Sequence, residues 1–185
     1  KILNQGGIVI FPTDTAYGIG CRIDRELSVK RLFDIRKRSE NKAVPVLVSD
    51  IDMAKDYLLE IPKDVKEKLM EKYWPGALTI ILPCIKDKVP SLVRGEGNNL
   101  GIRVPDNKLI LEIIKKVGVP ILAPSANFSG EKTPFTSGDL DKNLIKLVDM
   151  VIDKKESLTN NVSTVIDCSV FPWKVVRKGQ ININI

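Results

Sequence analysis

The segment from Phe11 to Gly20 is the first in the sequence whose residue types could bind a small polar ligand. Its Thr13, Asp14, Thr15 and Tyr17 place two aliphatic hydroxyls, a carboxylate and a phenol directly after an apolar run that predicts a strand. The segment lacks the Gly-Lys-Ser/Thr ending of a P-loop, so it does not predict a phosphate cradle. A capped polar turn would contain the same residues, and both interpretations stay open for this segment alone.

Basic residues are concentrated near the end of the first predicted helix. Arg36, Lys37, Arg38 and Lys42 lie within seven positions. Cations at a helix C-terminus complement the helix dipole by about 0.3–1 kcal/mol each. Four of them exceed that need, and the arginine fork and the lysine point charge both suit phosphate. A phosphate clamp and a solvated charged face are both compatible with this pattern.

Arg103 lies between Ile102 and Val104 in an apolar run that predicts a strand. A strand arginine among apolar neighbours is costly to bury unless a carboxylate or a phosphate meets it. We therefore expect Arg103 to bind a ligand or to form an internal ion pair.

Small polar residues follow further predicted strands. Ser125 and Asn127 come directly after the strand at residues 121–123, and Thr133 is nearby. Ser163 stands at the entrance of one late strand, and a cation at position 177 ends another. Ligands of open α/β sheets bind at such strand ends. Turns capped by Ser and Asn would give the same pattern.

The composition excludes several kinds of chemistry. The chain has no histidine, which removes histidine-based triads, metal ligands and general bases. Its three cysteines are far apart and odd in number, which argues against a disulfide framework or a zinc site and fits a reducing, cytoplasmic setting. Chemistry must then rely on charge, hydroxyls, carboxylates and a bound metal.

Charge and length set broader expectations. The net charge is +6, from 29 basic and 23 acidic residues, which favours polyanionic partners such as nucleotides or RNA. Lysine enrichment for solubility would give the same balance. The 185 residues favour one domain spanning 1–185, and no run of 18 apolar residues predicts a membrane span.

Alternating strands and helices must position these candidate residues. Short apolar runs predict strands at 8–11, 43–48, 77–82, 101–104, 121–123, 150–152, 164–167 and 174–177. Apolar periodicity predicts helices at about 25–37, 62–73, 106–117 and 137–147. The Gly-rich stretch 83–99 predicts a long loop. Several links are too short for right-handed crossovers, so we expect a mixed sheet and not a regular doubly wound one.

Seven motifs in a fixed order carry a family resemblance that none of them would carry alone. They are PTDTAYG, RKR, WPGALTIIL, GIRVP, APSAN, STVID and VVRKG. Together they resemble the YrdC-type L-threonylcarbamoyladenylate synthases from about Gly6 to Gly179. The resemblance implies an α/β, YrdC/RibB-like single domain: a twisted mixed sheet of parallel and antiparallel strands flanked by helices, with a concave basic cleft.

The resemblance also implies a reaction. Enzymes of this kind join L-threonine, bicarbonate and ATP into threonylcarbamoyl-AMP and pyrophosphate, with Mg²⁺ bridging the phosphates. Such a nucleotidyltransferase hands its product to a protein complex that modifies an adenosine of tRNA in the cytoplasm, and direct RNA contact is a further expectation. Positioning and charge neutralisation would drive the chemistry without a covalent nucleophile.

Matching positions imply two groups of site residues. The threonine group is Thr15, Arg103, Ala123 and Ser163. The ATP group is Arg36, Arg38, Lys42, Asn99, Ser125, Asn127, Thr133 and Arg177. The chain departs from the family where relatives often have Lys-x-Arg-Pro and it has Arg36-Lys37-Arg38-Ser39, and where some have His in place of Leu47.

Two other functions stay open on the sequence. A basic concave surface could bind double-stranded RNA or tRNA without chemistry, since duplex RNA needs few aromatic contacts. A related domain of hydrogenase-maturation proteins makes carbamoyl-adenylate, but it is embedded among zinc-finger-like and acylphosphatase-like parts that this sequence does not show.

Overall fold

The strands of the computed structural model form two mixed sheets, and the structure describes residues 1–153 and 161–183. This arrangement confirms the mixed α/β class with flanking helices. The strands are divided between two sheets, however, where the sequence predicted one. The reason is a strand that the sequence analysis missed, Tyr17–Gly20, which pairs with its predecessor instead of extending the larger sheet.

The smaller sheet has three strands in the order β2-β1-β7. They are β1 Val9–Pro12, β2 Tyr17–Gly20 and β7 Met150–Val151. The β1–β2 pair is antiparallel and the β1–β7 pair is parallel. The turn between β1 and β2 carries Thr13, Asp14 and Thr15, so the first candidate segment is held between two paired strands.

The larger sheet has six strands in the order β6-β3-β5-β4-β8-β9. They are β3 Val46–Leu47, β4 Leu78–Pro83, β5 Asn99–Arg103, β6 Ile121–Leu122, β8 Thr164–Asp167 and β9 Lys174–Arg177. The pairs β3–β5 and β4–β8 are parallel and the other pairs are antiparallel.

One face of the larger sheet belongs to the core, and the other is partly open. Ile80, Ile102 and Ile166 on the buried face are fully buried. Because side chains alternate along a strand, Thr79 and Arg103, each next to one of these isoleucines, emerge on the opposite face. That face is where polar groups of several strands can meet a ligand.

Seven short α-helices accompany the sheets in the described residues, and one of them, Lys108–Val117, has the caps that its sequence predicts at both ends. They are α1 Glu26–Arg36, α2 Ile51–Lys55, α3 Lys63–Val65, α4 Glu71–Tyr73, α5 Ser91–Arg94, α6 Lys108–Val117 and α7 Lys142–Ile145. The Asn107 side chain caps α6 by accepting from Ile110 N at 3.1 Å, and Gly118 ends it at a φ of 77°. The predicted stop of this helix is therefore confirmed.

Two predictions about helices and loops are wrong. The stretch 137–147 is not one helix, because the Asp141 carboxylate accepts from Asn143 N and Leu144 N and starts α7 afresh after a short 3₁₀ turn. The stretch 83–99 is not one loop, because it contains a 3₁₀ turn at Lys86–Lys88 and helix α5. Among the described residues, no helix is long and apolar enough to cross a bilayer.

The two sheets meet where β2 runs beside the segment that contains β6. Ile19 N donates to Pro124 O at 3.0 Å, and Leu122 N donates to Cys21 O at 2.9 Å. The approach is so close that a Cβ on Gly20 would lie 1.9 Å from Leu122 O. This junction brings the β1–β2 turn to the open face of the larger sheet.

Candidate functional site

A pocket of about 170 Å³ lies at the junction of the two sheets. Its walls come from the β1–β2 turn, the end of α1, the segment after β6, and strands of the larger sheet. Nine of the twelve predicted site residues line it: Thr15, Arg36, Arg38, Arg103, Ala123, Ser125, Thr133, Ser163 and Arg177. The fold thus brings together residues that are scattered over most of the sequence.

Arg103 is held in this pocket from three directions. Its Nε donates to Gly76 O at 2.8 Å, its Nη1 to Thr15 Oγ1 at 2.9 Å, and its Nη2 to a carboxylate oxygen of Asp14. Burial lowers the pKa of Arg103, and the Asp14 charge opposes that shift. The sequence prediction of a ligand or an internal ion pair is confirmed in its second form. Three of the five guanidinium N–H groups are used, so two are left for a ligand.

A turn that begins at Trp74 supplies one of these contacts. The Trp74 indole N–H donates to Leu78 O at 2.7 Å, and Gly76 N donates to Val104 O at 2.9 Å. These bonds fix the Gly76 carbonyl that receives Arg103. The WPGAL motif therefore positions Arg103 without itself lining the pocket.

Ser163 and Arg177 form a second held group. Ser163 Oγ lies 3.0 Å from Thr79 Oγ1 and accepts from Arg177 Nη2 at 2.8 Å, while Arg177 Nε donates to Ser163 O at 3.0 Å. Burial, and then the charge of Arg103, lower the pKa of Arg177. Gly179 lies so close behind that a Cβ would be 2.3 Å from Val162 O. The segment after β9 thus fixes Ser163 against the larger sheet.

Arg36 is the last residue of α1 and is almost fully buried, with 3% of its surface exposed. Its Nε donates to Asn127 O at 3.0 Å and its Nη2 to Asn127 Oδ1 at 3.1 Å, which also accepts from Ser125 Oγ at 2.6 Å. Its Nη1 has no hydrogen-bond partner. A buried charged donor left unpaired costs about 1–3 kcal/mol or more. Burial, and then the charge of Arg38, lower the pKa of Arg36 to about 10.

Arg38 lies closer to the pocket rim. Its Nε donates to Lys42 O at 3.1 Å and its Nη2 to Ala43 O at 2.6 Å. Burial lowers its pKa, although the residue is only partly buried. Lys42 contributes its carbonyl to this contact, while its side chain is exposed and does not line the pocket.

Two other predicted residues do not reach the pocket wall. Asn127 is buried behind Arg36 and acts on the pocket through that side chain. Asn99 opens β5 at the opposite end from Arg103, and its Nδ2 donates to Ser169 Oγ at 2.8 Å. Four residues of strand span about 13 Å, so Asn99 could meet only a ligand that extends well beyond the pocket.

Thr13 and Thr79 also line the pocket, although the family resemblance assigned a role to neither. Thr13 Oγ1 donates to Ala16 O at 2.7 Å and lies 3.1 Å from Thr15 Oγ1, so it shapes the turn. Thr79 was visible as the lone polar residue in the apolar run 77–82. Asp14 was expected either to bind a ligand or to cap a turn, and its pairing with Arg103 could not be predicted because it spans 89 positions.

The electrostatics of the pocket favour anions. Four arginines line it, and none of its described lining residues is acidic. The described residues also contain no group of three or more His, Cys, Asp or Glu side chains that could hold a metal ion. Hydroxyls and arginines fit a Mg²⁺ ion only if a polyphosphate brings it. A larger open groove of about 1110 Å³, lined by several carboxylates, lies elsewhere and contains none of the predicted residues.

Comparison with known proteins gives these residues a family. The family model of Sua5, YciO and YrdC, described as "Telomere recombination", matches residues 1–179. The chain belongs to this family. The resemblance to the YrdC family that the seven motifs indicate is therefore confirmed.

Individual members of the Sua5/YciO/YrdC family are similar over nearly the whole chain. The threonylcarbamoyl-AMP synthase of Bacillus subtilis (strain 168) is 33% identical over 97% of this chain and 52% of that protein. A putative threonylcarbamoyl-AMP synthase of Methanocaldococcus jannaschii is 36% identical over 99% of this chain and 84% of that protein. The crystal structure of Pyrococcus abyssi Sua5 complexed with L-threonine has a TM-score of 0.88 at 30% identity, covering 96% of this chain and 52% of that one.

The coverage sets a limit on what the Sua5/YciO/YrdC similarity transfers. The chain spans about half the length of the Bacillus subtilis and Pyrococcus abyssi proteins. Membership in the family and the fold follow from the match directly.

Proposed function

We propose that this protein is an L-threonylcarbamoyladenylate synthase, a nucleotidyltransferase that joins L-threonine, bicarbonate and ATP. The observation that supports the proposal is the pocket itself, which gathers hydroxyl side chains and four arginines, residue types that would suit the carboxylate and the phosphates of such a reaction. The names of the relatives and the L-threonine bound to the Pyrococcus abyssi protein support the same choice.

Threonine binds at the end of the pocket that contains Arg103. The two unused N–H groups of its guanidinium receive the substrate carboxylate, since a planar fork matches a carboxylate. Thr15 and Ser163 are buried hydroxyls that can bond the amino acid's own polar groups, and Ala123 borders the same space. The hydroxyl of threonine distinguishes it from valine where buried polar groups would otherwise stay unpaired.

ATP lies across the basic rim. The pocket volume of about 170 Å³ is below the roughly 300 Å³ of usual small-molecule sites, so a nucleotide must extend out of it. Arg38 and Arg177 would bind the phosphates where the nucleotide leaves the pocket, and Ser125 and Thr133, which also line it, would contact the nucleotide as well. Lys42 lies next to this rim, and Asn99 would meet only the distant end of the nucleotide. A concave basic cleft beyond the pocket is part of this proposal.

The chemistry proceeds in two steps. The ammonium group of threonine first loses a proton, and its neutral nitrogen then bonds to the carbon of bicarbonate. One C–O bond of bicarbonate breaks, the oxygen leaves as water with a proton from the nitrogen, and a carbamate remains. A carbamate oxygen then attacks the α-phosphorus of ATP, and the bond to pyrophosphate breaks. The arginines neutralise the charge that gathers on the phosphates, and Arg103 and the hydroxyls hold the reactants in place. Mg²⁺ bound to the polyphosphate would supply further charge neutralisation.

The product defines the next partner. A carbamoyl adenylate is an activated acyl phosphate, so a second protein must consume it before water does. A tRNA-modifying complex that transfers the threonylcarbamoyl group to adenosine fits this chemistry and a cytoplasmic setting. The +6 charge would allow direct RNA contact during the transfer.

One experiment tests the activity. Purified protein is incubated with ATP, Mg²⁺, bicarbonate and L-threonine, and pyrophosphate and the adenylate product are measured by mass spectrometry. We expect both products only when all four components are present. Release of pyrophosphate that does not depend on threonine would refute the proposal, and dependence on carbamoyl phosphate would favour a carbamoyl-adenylate function instead. An RNA-binding module without chemistry would release no pyrophosphate.

A further inference from the structure

The Nη1 group of Arg36 is unusual in this molecule. Among the described residues, it is the single buried side-chain nitrogen or oxygen without a hydrogen-bond partner. Nη1 carries two N–H groups, and the residue that bears them lines the pocket. Two charged N–H donors are therefore shielded from water, and the described residues supply no acceptor for them.

The surroundings of Arg36 keep it from moving to satisfy itself. Both of its other nitrogens are bonded to Asn127, and Asn127 is in turn fixed by Ser125 Oγ at 2.6 Å and by its own bond to Glu131 O at 2.6 Å. The Arg36 backbone carbonyl also accepts from Ser129 N at 2.8 Å. The orientation of Nη1 is thus built into the fold.

Size and depth limit what can meet Nη1. Arg36 is almost fully buried, whereas Arg38, two residues later, is only partly buried and lies nearer the rim. The enclosed volume of about 170 Å³ leaves room for small reactants beside the amino acid and not for a triphosphate. The polyphosphate belongs with the rim arginines, so the deep donors call for a smaller anion.

We infer that Arg36 Nη1 binds the small planar oxyanion of the reaction: bicarbonate first, and then the carboxylate of the carbamate that forms from it. This inference rests on the proposed function and moves Arg36 out of the ATP group to which the family resemblance assigned it. Bicarbonate and the carbamate group are both planar oxyanions with one negative charge, so the same edge of the guanidinium can bind first one and then the other. The same contact would hold the nucleophilic carbamate in place while one of its oxygens attacks phosphorus.

Two matched variants test the assignment. Arg36→Met removes the deep cation, and Arg38→Met removes the rim cation two residues away. We expect Arg36→Met to raise the KM for bicarbonate about 10-fold or more, as for a lost charged hydrogen bond, with less than about 2-fold change in the KM for ATP. Arg38→Met should do the reverse. Arg36→Lys, which keeps the charge, should lose less than Arg36→Met.

The outcomes are separable from those of the proposed function. If Arg36→Met raises the KM for ATP as much as that for bicarbonate, or changes neither, the assignment is wrong. If Arg36→Met does not fold, Arg36→Gln replaces it, because an amide can still bond Asn127. Should the wild-type protein make no product, ¹³C-labelled bicarbonate still tests the site. Wild-type protein should broaden its NMR line and Arg36→Met should not, and equal line widths would overturn the inference.

Discussion

Buried arginines in this protein differ in how much of their hydrogen-bonding capacity the protein itself uses. Arg103 has partners on all three nitrogens, including a carboxylate, whereas Arg36 has one nitrogen with none. A buried ion pair such as Asp14–Arg103 adds little net stability, but removal of one partner leaves an uncompensated charge. Arg103 thus has a structural role and a proposed binding role that a single substitution cannot separate.

A pair of variants separates the two roles of Arg103. Arg103→Ala should weaken L-threonine binding by about 1.5–3 kcal/mol, the cost of a charged hydrogen bond. It should also destabilise the fold by about 3 kcal/mol, because the partly buried Asp14 carboxylate loses its ion pair with Arg103. In the double variant Asp14→Asn/Arg103→Met the fold should recover while threonine binding does not. Calorimetric titration and urea denaturation measure the two quantities.

The control for Arg103 is Arg25→Ala, which removes an exposed arginine outside the pocket. This variant should bind threonine like the wild type. If threonine binding returned together with stability in the double variant, Arg103 would have only a structural role.

The environment of a single residue could be predicted from the sequence where a charged residue interrupts an apolar strand pattern. An arginine between isoleucine and valine indicated a buried charge, and the structure has one. The partner could not be identified, because Asp14 is 89 positions away and looks like a turn residue. The unpaired nitrogen of Arg36 could not be predicted either, since it depends on how Asn127 turns to meet the end of a helix.

Among the elements, β2 determines whether the site exists. It pairs with β1 on one edge and bonds the segment around β6 on the other, so the turn carrying Thr15 is fixed relative to the larger sheet. The sequence analysis missed β2 because two glycines within four residues are typical of a turn. Those glycines are instead the places where neighbouring chain comes close, with Leu122 O nearest to Gly20.

Gly20→Ala should separate β2 from β6. The added Cβ would lie 1.9 Å from a backbone oxygen, which neither strand can accommodate without shifting. We expect a loss of about 1–3 kcal/mol in the free energy of unfolding, together with weaker threonine binding, because the turn moves with its strand. Gly138→Ala is the matched control, since its nearest contact is an ordinary 3.6 Å. Equal urea midpoints for the two variants would contradict this account.

At the scale of the whole molecule, the reactivity of three thiols can show whether the hydrophobic core stays closed. Cys21, Cys84 and Cys168 are all buried in the main hydrophobic cluster. Burial raises the pKa of Cys21 to about 12, and burial followed by the charge of Asp167 raises the pKa of Cys168 to about 12. Burial also raises the pKa of Cys84. At pH 8 only about 10⁻⁴ of a thiol with a pKa of 12 is the reactive thiolate.

Native protein should therefore resist alkylation by iodoacetamide at pH 8. In urea the thiols regain ordinary pKa values, and all three should react at rates typical of free cysteine. Mass spectrometry at timed intervals gives the extent of reaction. Rapid modification of one cysteine in native protein, without urea, would show that part of the core opens by itself.

Most of the fold class could be predicted from the sequence, and nine of the twelve predicted site residues come together at the pocket, but the arrangement of the strands could not be predicted. Short apolar runs gave strands close to their observed positions, since burial demands that pattern. The division into two sheets depends on pairings between distant segments, such as β1 with β7 and β4 with β8. No local pattern contains that information.

The pocket's construction has a consequence for protein synthesis in the cell. Its lining runs along the chain from Thr13 to Arg177, and Gly179 N donates to Thr164 Oγ1 beside the last residues of the wall. A ribosome adding about 5–20 residues per second needs roughly 10–30 s to extend the chain from the first of these positions to the last. During that interval the β1–β2 hairpin and β5 can already form, but Ser163 and Arg177 are still missing from the pocket wall. The site therefore cannot bind its ligands on a nascent chain until translation has passed Arg177.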